Sequence, residues 1–245
     1  RFVELVYAGQ NVAVTETATS FENERQKVEI SLVKSIEQNE RFDIGTNGEM
    51  KNITFGLFAA EEIVSASGTS IPANGLIEIV SLNEDGTATI KTDLPYGRYY
   101  VQEIATDSHY KLSDAKYPII FEYVGQDTAV VKIAVNDGKA IKNDLIYGSV
   151  SGKKVDEDGN ALGGAMIGLF RTDDGEFTKE NALMTTTSAE DGSFSFENIP
   201  CGTWYVREIE QPTGFVLDDT IYPVTIGTDG QVVEIEIVNE YGRGN

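Results

Sequence analysis

Short stretches in which every second residue is apolar recur along this chain, and they restrict it to folds made of β-sheets. Alternation of this kind places one face of a strand in a core and the other face in water. Asp-Gly pairs separate many of the stretches, and glycine accepts the positive φ of a tight hairpin turn. The pattern predicts an all-β chain made of β-sandwiches. Clear examples are VEISLVK (28–34), YYVQEI (99–104), SFSFENI (193–199), WYVREI (204–209) and VVEIEIV (232–238).

The sequence also contains an internal repeat. LPYGRYYVQEI (94–104) reappears as IPCGTWYVREI (199–209). Each copy is about 100–120 residues long, which is the size of one sandwich domain. We therefore predict a first domain over residues 28–145, with an inserted loop and hairpin arm within residues 61–81, and a second domain over residues 146–245.

The N-terminal residues 1–27 belong to neither copy but resemble the end of one. VELVYAGQNVAV (3–14) is similar to FEYVGQDTAV (121–130). Asn23 lies 11 residues before Lys34, and the same spacing between an Asn and a Lys returns at the start of the second domain. We therefore predict that residues 1–27 are the C-terminal strands of a preceding repeat, and that the chain is a segment of a longer tandem array.

Charge and hydropathy exclude two classes of partner. The chain carries 19 Lys and Arg residues against 40 Asp and Glu residues, a net charge of −21. Nucleic acid is excluded because a phosphate backbone is bound by basic patches, which this chain lacks. No apolar run approaches the roughly 20 residues of a membrane-spanning helix, so we expect no membrane insertion in this segment.

A single cysteine, Cys201, and a single histidine, His109, limit the available chemistry further. Disulfide frameworks need paired cysteines, and zinc sites are built mainly from Cys and His. A Ser-His-Asp triad would have to use His109, which lies in a turn-like stretch. We therefore predict no metal, no cofactor and no hydrolase site.

Each domain contains the same three polar residues at equivalent positions. A Lys and a Glu lie on the strand face that alternation predicts to be buried, and an Asn lies at the end of a late strand. A buried Lys or Glu costs several kcal/mol unless it is paired. The simplest interpretation is a buried ion pair with a hydrogen-bonded Asn beside it. The residues are Lys34, Glu103 and Asn143 in the first domain, and Lys154, Glu208 and Asn239 in the second.

Three segments of the second domain form a specific combination: KKVDEDGNALGGAMIGLF (153–170), DGSFSFENIPCGTWYVREIEQPTGFVL (191–217) and EIVN (236–239). Together they resemble the collagen-adhesin B-type repeat (Cna B-type domain), a prealbumin-like, immunoglobulin-like β-sandwich of Gram-positive surface adhesins and pilins. The first domain resembles it as well, although Lys34 is followed by Ser-Ile where the family pattern has an Asp two residues after the Lys.

The resemblance implies an intramolecular isopeptide bond in each domain, and elementary chemistry supports it. Burial favours neutral forms, lowering the pKa of a lysine and raising that of a glutamate by up to ~3–5 units. A neutral lysine amine could then attack the Asn carbonyl, which a protonated glutamate would polarise. This is a single-turnover self-modification, not enzymatic turnover. The implied bonds are Lys34–Asn143 and Lys154–Asn239, with Glu103 and Glu208 as the catalytic, bond-promoting residues.

The asparagine of the first domain has two candidates. Asn136 follows VVKIAV much as Asn239 follows VVEIEIV, but it precedes an Asp-Gly turn. We prefer Asn143, because its 11-residue spacing to Lys154 repeats the spacing of Asn23 to Lys34.

The function implied by the resemblance is structural. We expect a stalk segment of an adhesin or pilin, extracellular and anchored to the cell wall through parts of the parent protein outside this sequence, with neighbouring repeats of the same chain as its partners. One alternative is a ligand-binding adhesin module for a host extracellular matrix protein or a glycan. Another is an accessory domain of a secreted hydrolase.

Overall fold

The structure is a computed structural model that describes residues 25–65 and 67–243. Within those residues it contains no α-helix, only short 3-10 turns at Glu49–Asn52 and Val135–Gly138. Asn23 and most of residues 1–27, the predicted end of a preceding repeat, lie outside the described residues. The strands are β1 (Lys27–Ile36), β2 (Thr54–Ala59), β3 (Ile63–Val64), β4 (Ser70–Ile71), β5 (Leu76–Ser81), β6 (Thr87–Ile90), β7 (Gly97–Ala105), β8 (Lys116–Phe121), β9 (Val130–Ala134), β10 (Ile141–Asn143), β11 (Tyr147–Asp156), β12 (Met166–Phe170), β13 (Met184–Thr187), β14 (Ser193–Pro200), β15 (Gly202–Glu210), β16 (Tyr222–Ile226) and β17 (Val232–Asn239).

Strands β1–β10 form the first domain, a sandwich of two sheets. In one sheet, β1 pairs antiparallel with β6 and parallel with both β9 and β10. The other sheet has the order β5-β2-β7-β8. Side chains of β1 alternate between core and solvent, so the buried Lys34 lies on the same face as Ile30 and Leu32.

Strands β11–β17 repeat this arrangement as the second domain. β11 pairs antiparallel with β14 and parallel with β17, as β1 does with β6 and with β9 and β10. The sheet β13-β12-β15-β16 corresponds to β5-β2-β7-β8. The predicted all-β class, with sandwich domains in tandem, is confirmed.

The first domain has an insertion between β2 and β5. Strands β3 and β4 form a small antiparallel hairpin, with Ile63 opposite Ile71. This is the hairpin arm predicted within residues 61–81. Ile63 packs against Gly97 at the start of β7, and the side chain is buried in the first domain's core.

The last strand of the first domain is interrupted, whereas β17 is continuous. Glu29 lies opposite Lys132 and Ile36 opposite Asn143. Residues 132 and 143 are thus eleven positions apart, while the corresponding residues 232 and 239 of β17 are seven apart. The four extra residues, 136–139, form a tight turn in which Asn136 and Asp137 have φ values of 55° and 54°. They separate β9 from β10 without changing the register on either side.

The hydrophobic core of the second domain includes side chains from the first. Phe42 packs edge-on against Trp204, with ring centroids 4.8 Å apart. Ile44, Tyr110 and Leu145 are buried in the same cluster. The first domain's cluster, in contrast, is made of its own residues.

Polar contacts fix the junction between the two domains. The hydroxyl of Tyr147, the first residue of β11, donates to the Glu37 carboxylate at 2.9 Å. The Arg171 guanidinium donates to the carbonyl oxygens of Arg41 and Phe42, each at 3.0 Å. Residues 37–45, which we call the junction loop, therefore hold the second domain through both packing and hydrogen bonds.

Candidate functional site

The first polar cluster lies between β1, β7 and β10 and is almost completely buried. Lys34, Glu103 and Asn143 are 2%, 3% and 2% exposed. The Lys34 Nζ lies 3.5 Å from Glu103 Oε2 and donates to the carbonyl of Ile141 at 3.0 Å. The Asn143 Nδ2 donates to Glu103 Oε1 at 2.7 Å. One carboxyl group therefore contacts both the lysine nitrogen and the asparagine nitrogen.

The second cluster repeats this geometry between β11, β15 and β17. The Lys154 Nζ lies 3.7 Å from Glu208 Oε1 and donates to the carbonyl of Ile237 at 3.3 Å. The Asn239 Nδ2 donates to Glu208 Oε2 at 2.8 Å. In both domains the asparagine lies opposite the residue two positions after the lysine. The three predicted residues thus converge in each domain.

The interior of each cluster contains unpaired oxygens. Among the residues that the structure describes, the lysine-facing oxygens of Glu103 and Glu208 and the Oδ1 atoms of Asn143 and Asn239 are buried without a hydrogen-bond partner. Buried polar groups are normally paired, and each unpaired one costs about 1–3 kcal/mol. In both clusters, therefore, the same two oxygen atoms near the lysine amine, one from the glutamate and one from the asparagine, could each accept a further hydrogen bond.

Burial also changes the acidity of the two amines. Desolvation lowers the pKa of Lys34 and of Lys154 from the usual 10.5, and the attraction of Glu103 or Glu208 only partly opposes this. A lowered pKa increases the fraction of each lysine that is neutral, and only the neutral amine carries the lone pair of a nucleophile.

The SpaA prealbumin-like fold domain model matches the chain twice, over residues 35–139 and 148–241. The chain belongs to the SpaA family of prealbumin-like fold domains. The second match contains Lys154, Glu208 and Asn239, whereas the first contains Glu103 and lies between Lys34 and Asn143. The predicted prealbumin-like domain type is confirmed for both domains.

Solved structures share the fold of the two SpaA-type domains. The Bacillus anthracis TIE protein is 18% identical, with a TM-score of 0.61 over 88% of this chain and 34% of its own. The chain thus spans about a third of that protein. The C-terminal fragment of the pilus adhesin SpaC from Lactobacillus rhamnosus GG is 12% identical, with a TM-score of 0.52 over 89% of this chain and 99% of the fragment. Comparison with curated proteins finds no match.

Asn136 lies away from the first cluster. It is exposed on the turn between β9 and β10, where its Nδ2 donates to the carbonyl of Lys139 at 3.3 Å. Asn143 is the asparagine that contacts Glu103 and lies in register with the lysine strand.

The orientation of the asparagine amides differs from the sequence-based expectation. We expected the glutamate to polarise the asparagine carbonyl, but in both SpaA-type domains it contacts the Nδ2 instead. The second N–H of Asn143 points at Thr106 Oγ1 at 3.0 Å, and that of Asn239 points at the Val216 carbonyl. A carbonyl oxygen can only accept a hydrogen bond, so the Asn239 group that faces the Val216 carbonyl must be the Nδ2 and not the Oδ1.

Three supporting contacts were missed in the sequence because they come from loops. Thr106 and Val216 follow β7 and β15, beyond the alternating pattern. The Asp218 N–H donates to Glu208 Oε2 at 2.8 Å and adds a third contact to that carboxyl group. For Thr106, the only signal in the sequence was a polar residue shortly after the strand that carries the glutamate. The Val216 carbonyl belongs to the main chain, so no residue type in the sequence indicates it.

An Asp-Gly turn holds each lysine strand in place. The main-chain N–H of Lys34 donates to the Gly86 carbonyl at 2.8 Å, and that of Lys154 donates to the Gly192 carbonyl at 2.7 Å. Both glycines have positive φ, 82° and 79°. A Cβ on either one would collide with the carbonyl oxygen of its lysine, so only glycine fits.

The remaining candidate residues are at the junction. Asp107 accepts from His109 Nδ1 at 2.6 Å, and Cys201 donates to the Ser108 carbonyl at 3.3 Å. Burial raises the pKa of the Cys201 thiol, which disfavours the reactive thiolate. Residues 25–65 and 67–243 contain no group of three or more His, Cys, Asp or Glu that could hold a metal ion. Over the same range, no helix is long and apolar enough to cross a bilayer.

Proposed function

We propose that this chain is a structural stalk segment of a cell-surface adhesin or pilin, and that each domain is closed by a self-formed Lys–Asn isopeptide bond. The observation that carries the proposal is the duplicated cluster. Each of the two domains buries one Lys, one Glu and one Asn, with the Asn in the same register to the lysine strand. A buried ion pair alone would not require an asparagine beside it in both domains.

The proposed reaction transfers one proton through the glutamate. The neutral lysine Nζ attacks the asparagine Cγ, and the lysine gives a proton to the glutamate oxygen that faces it. The other glutamate oxygen delivers a proton to the asparagine Nδ2, the Cγ–Nδ2 bond breaks, and ammonia leaves. The net change is one amine plus one carboxamide giving one secondary amide plus ammonia. Holding the groups together can contribute about 7–11 kcal/mol toward the barrier.

The unpaired oxygens support this product. A new amide N–H at the lysine nitrogen would face the glutamate oxygen that has no partner in each cluster. Bond formation therefore relieves a hydrogen-bonding deficit in the core, while the unlinked cluster retains it. The reaction happens once per site, so the chain has no turnover as an enzyme.

The bonds would suit a load-bearing stalk. Each joins a domain's first strand to its last and closes a loop of about 110 or 86 residues, worth roughly 4–5 kcal/mol of stability in the loop-entropy account. Asn143 lies four residues before Tyr147, where β11 begins. Tension would therefore pass along β1, across Lys34–Asn143 and directly into β11, without shearing the sheets. A role at the bacterial surface also agrees with the pilus adhesin fragment that shares this fold.

Intact mass measurement tests the proposal. We expect the purified chain to be lighter than its sequence by two ammonia molecules. Asn143→Ala and Asn239→Ala should each restore the mass of one ammonia beyond the substitution itself, and Asn136→Ala should restore none. A chain with its full unmodified mass would reduce both clusters to buried ion pairs and overturn the proposal.

Ligand binding by the first domain is a second candidate function. A cavity of about 890 Å³ lies at its N-terminal end, lined by Tyr96, Tyr123, Arg25 and Asp127 among others. Aromatic rings beside charged and amide groups suit a glycan or an extended host matrix peptide. Binding of the chain to glycan arrays and immobilised matrix proteins, compared with Tyr123→Ala, tests it. Equal signals from the two chains would remove this candidate.

A further inference from the structure

We propose that the group facing the second N–H of each asparagine determines whether that domain can form its bond from an aspartate. The first domain places a side-chain hydroxyl there, Thr106 Oγ1, 3.0 Å from Asn143 Nδ2. The second domain places a main-chain carbonyl there, Val216, against Asn239 Nδ2. This inference rests on the proposed bond formation and adds to it a preference for asparagine or aspartate as the residue that reacts with the lysine.

The difference lies in what the two groups can do. A hydroxyl either donates or accepts a hydrogen bond, whereas a carbonyl only accepts. The asparagine Nδ2 has two hydrogens, and in each domain it supplies one to the glutamate and one to this second group. Both acceptors are therefore satisfied when the reacting residue is Asn.

An aspartic acid in the same place has only one hydrogen on its hydroxyl oxygen. In the first domain that hydrogen can go to Glu103, because Thr106 can rotate its own hydrogen toward the aspartate oxygen. In the second domain Glu208 and Val216 would compete for the single hydrogen, and one acceptor would face an oxygen without a hydrogen between them. Asn239 and Glu208 are 0% and 1% exposed, so water does not fill a gap between these two side chains.

The reaction with aspartate balances with water as the leaving group. The lysine amine attacks the carboxyl carbon, the glutamate takes a proton from the amine, and it returns a proton to the leaving hydroxyl. The lysine and aspartic acid become one amide and one water. Loss of one hydrogen bond at this site costs about 1–3 kcal/mol, so Asn239→Asp should react about 5- to 150-fold more slowly than Asn143→Asp.

The test uses the full chain carrying Asn143→Asp or Asn239→Asp. Each variant is unfolded in denaturant, refolded by dilution and sampled over time by intact mass, with circular dichroism to verify refolding. We expect Asn143→Asp to lose one water, and Asn239→Asp to lose water about 5- to 150-fold more slowly. In each variant, the domain without the substitution should already have lost one ammonia, and this loss is the internal reference for the mass measurement.

Thr106→Val tests the assigned group, because it keeps the side-chain shape and removes the hydroxyl. In the Asn143→Asp chain it should slow water loss about tenfold and leave the second domain's ammonia loss unchanged. The inference is overturned if Asn239→Asp reacts as fast as Asn143→Asp, or if Thr106→Val has no effect. If the wild-type chain loses no ammonia, the proposed bonds themselves fail, and this inference fails with them.

Discussion

The first domain closes its core with its own hairpin, whereas the second domain takes core side chains from its neighbour. Tyr99 and Trp204 occupy equivalent positions, and each donates to the carbonyl of the residue four positions earlier. Near Tyr99 the core is closed by Ile63 of the β3–β4 hairpin, while Trp204 is covered by Phe42 of the junction loop. The polar clusters, in contrast, are complete within each domain.

This comparison separates two sources of stability. The covalent chemistry is duplicated and local, so each domain should form its bond independently. The packing is asymmetric along the chain, because side chains of the first domain complete the second domain's hydrophobic cluster, whereas the first domain's cluster contains only its own residues. A tandem array built this way would have a rigid junction between each pair of successive domains, but an isolated domain would be less stable than the same domain in the array.

The largest expected effect tests the independence of the two bonds. Glu208→Ala should leave the second domain unlinked, removing about 4–5 kcal/mol of loop-closure stabilisation and leaving a buried lysine without its partner, which costs about 3–5 kcal/mol more. Denaturant unfolding and intact mass measure both consequences. Glu103→Ala should do the same only to the first domain. Loss of both bonds from one substitution would contradict the comparison.

The one-directional packing can be tested at Phe42. Phe42→Ala should destabilise the second domain by about 3–5 kcal/mol, although the residue belongs to the first domain. The fluorescence of Trp204, the chain's single tryptophan, reports unfolding of the second domain. Ile63→Ala is the matched control, since it should destabilise the first domain and leave the Trp204 transition in place. If Ile63→Ala destabilised the second domain and Phe42→Ala did not, the inferred dependence of the second domain on Phe42 would be wrong.

An unlinked domain should also acquire a pH dependence that the linked one lacks. In Asn239→Ala, folding lowers the pKa of Lys154, so the unfolded chain binds more protons between that lowered pKa and pH 10.5. Stability should therefore rise with pH in that window, by at most about 1.4 kcal/mol per pH unit. Trp204 unfolding at pH 7, 8 and 9 measures the slope. Asn143→Ala is the control, because it leaves Lys154 linked, and an equal slope there would contradict the assignment.

The smallest effect concerns the interrupted strand. Deleting residues 136–139 should join β9 to β10 in the register that β17 already has, with the bond to Asn143 intact. Removing two non-glycine residues with left-handed conformations should stabilise the first domain by about 1–2 kcal/mol. Calorimetry and intact mass check this outcome. A deletion variant that loses its ammonia difference would mean that the turn is needed to position Asn143.

Strand alternation was sufficient to predict that the lysine and the glutamate of each cluster are buried. Lys34 and Glu103 share a phase with apolar neighbours, and the structure buries both. The choice between Asn136 and Asn143 was harder, because the inserted residues 136–139 shift the last strand relative to its counterpart. The alternation ends at Val135, so the sequence pattern alone cannot show that the strand resumes in the same register.

Contacts made by loops could not be read from the sequence. Phe42 lies in a polar stretch with no periodicity, and its burial depends on a domain that begins about a hundred residues later. The acceptors at Thr106 and Val216 lie beyond the ends of their strands, where neither alternation nor turn signals apply. Periodicity describes a residue's own strand, whereas these contacts arise from the packing of separate segments.

Peptide mapping tests the central claim most directly. Trypsin digestion of the denatured chain followed by tandem mass spectrometry should give two branched peptides, one joining Lys34 to Asn143 and the other joining Lys154 to Asn239. Cleavage after both lysines should be blocked, because an amide-bonded lysine carries no charge for the protease. Linear peptides that end at Lys34 and at Lys154, with both asparagines intact, would contradict the account.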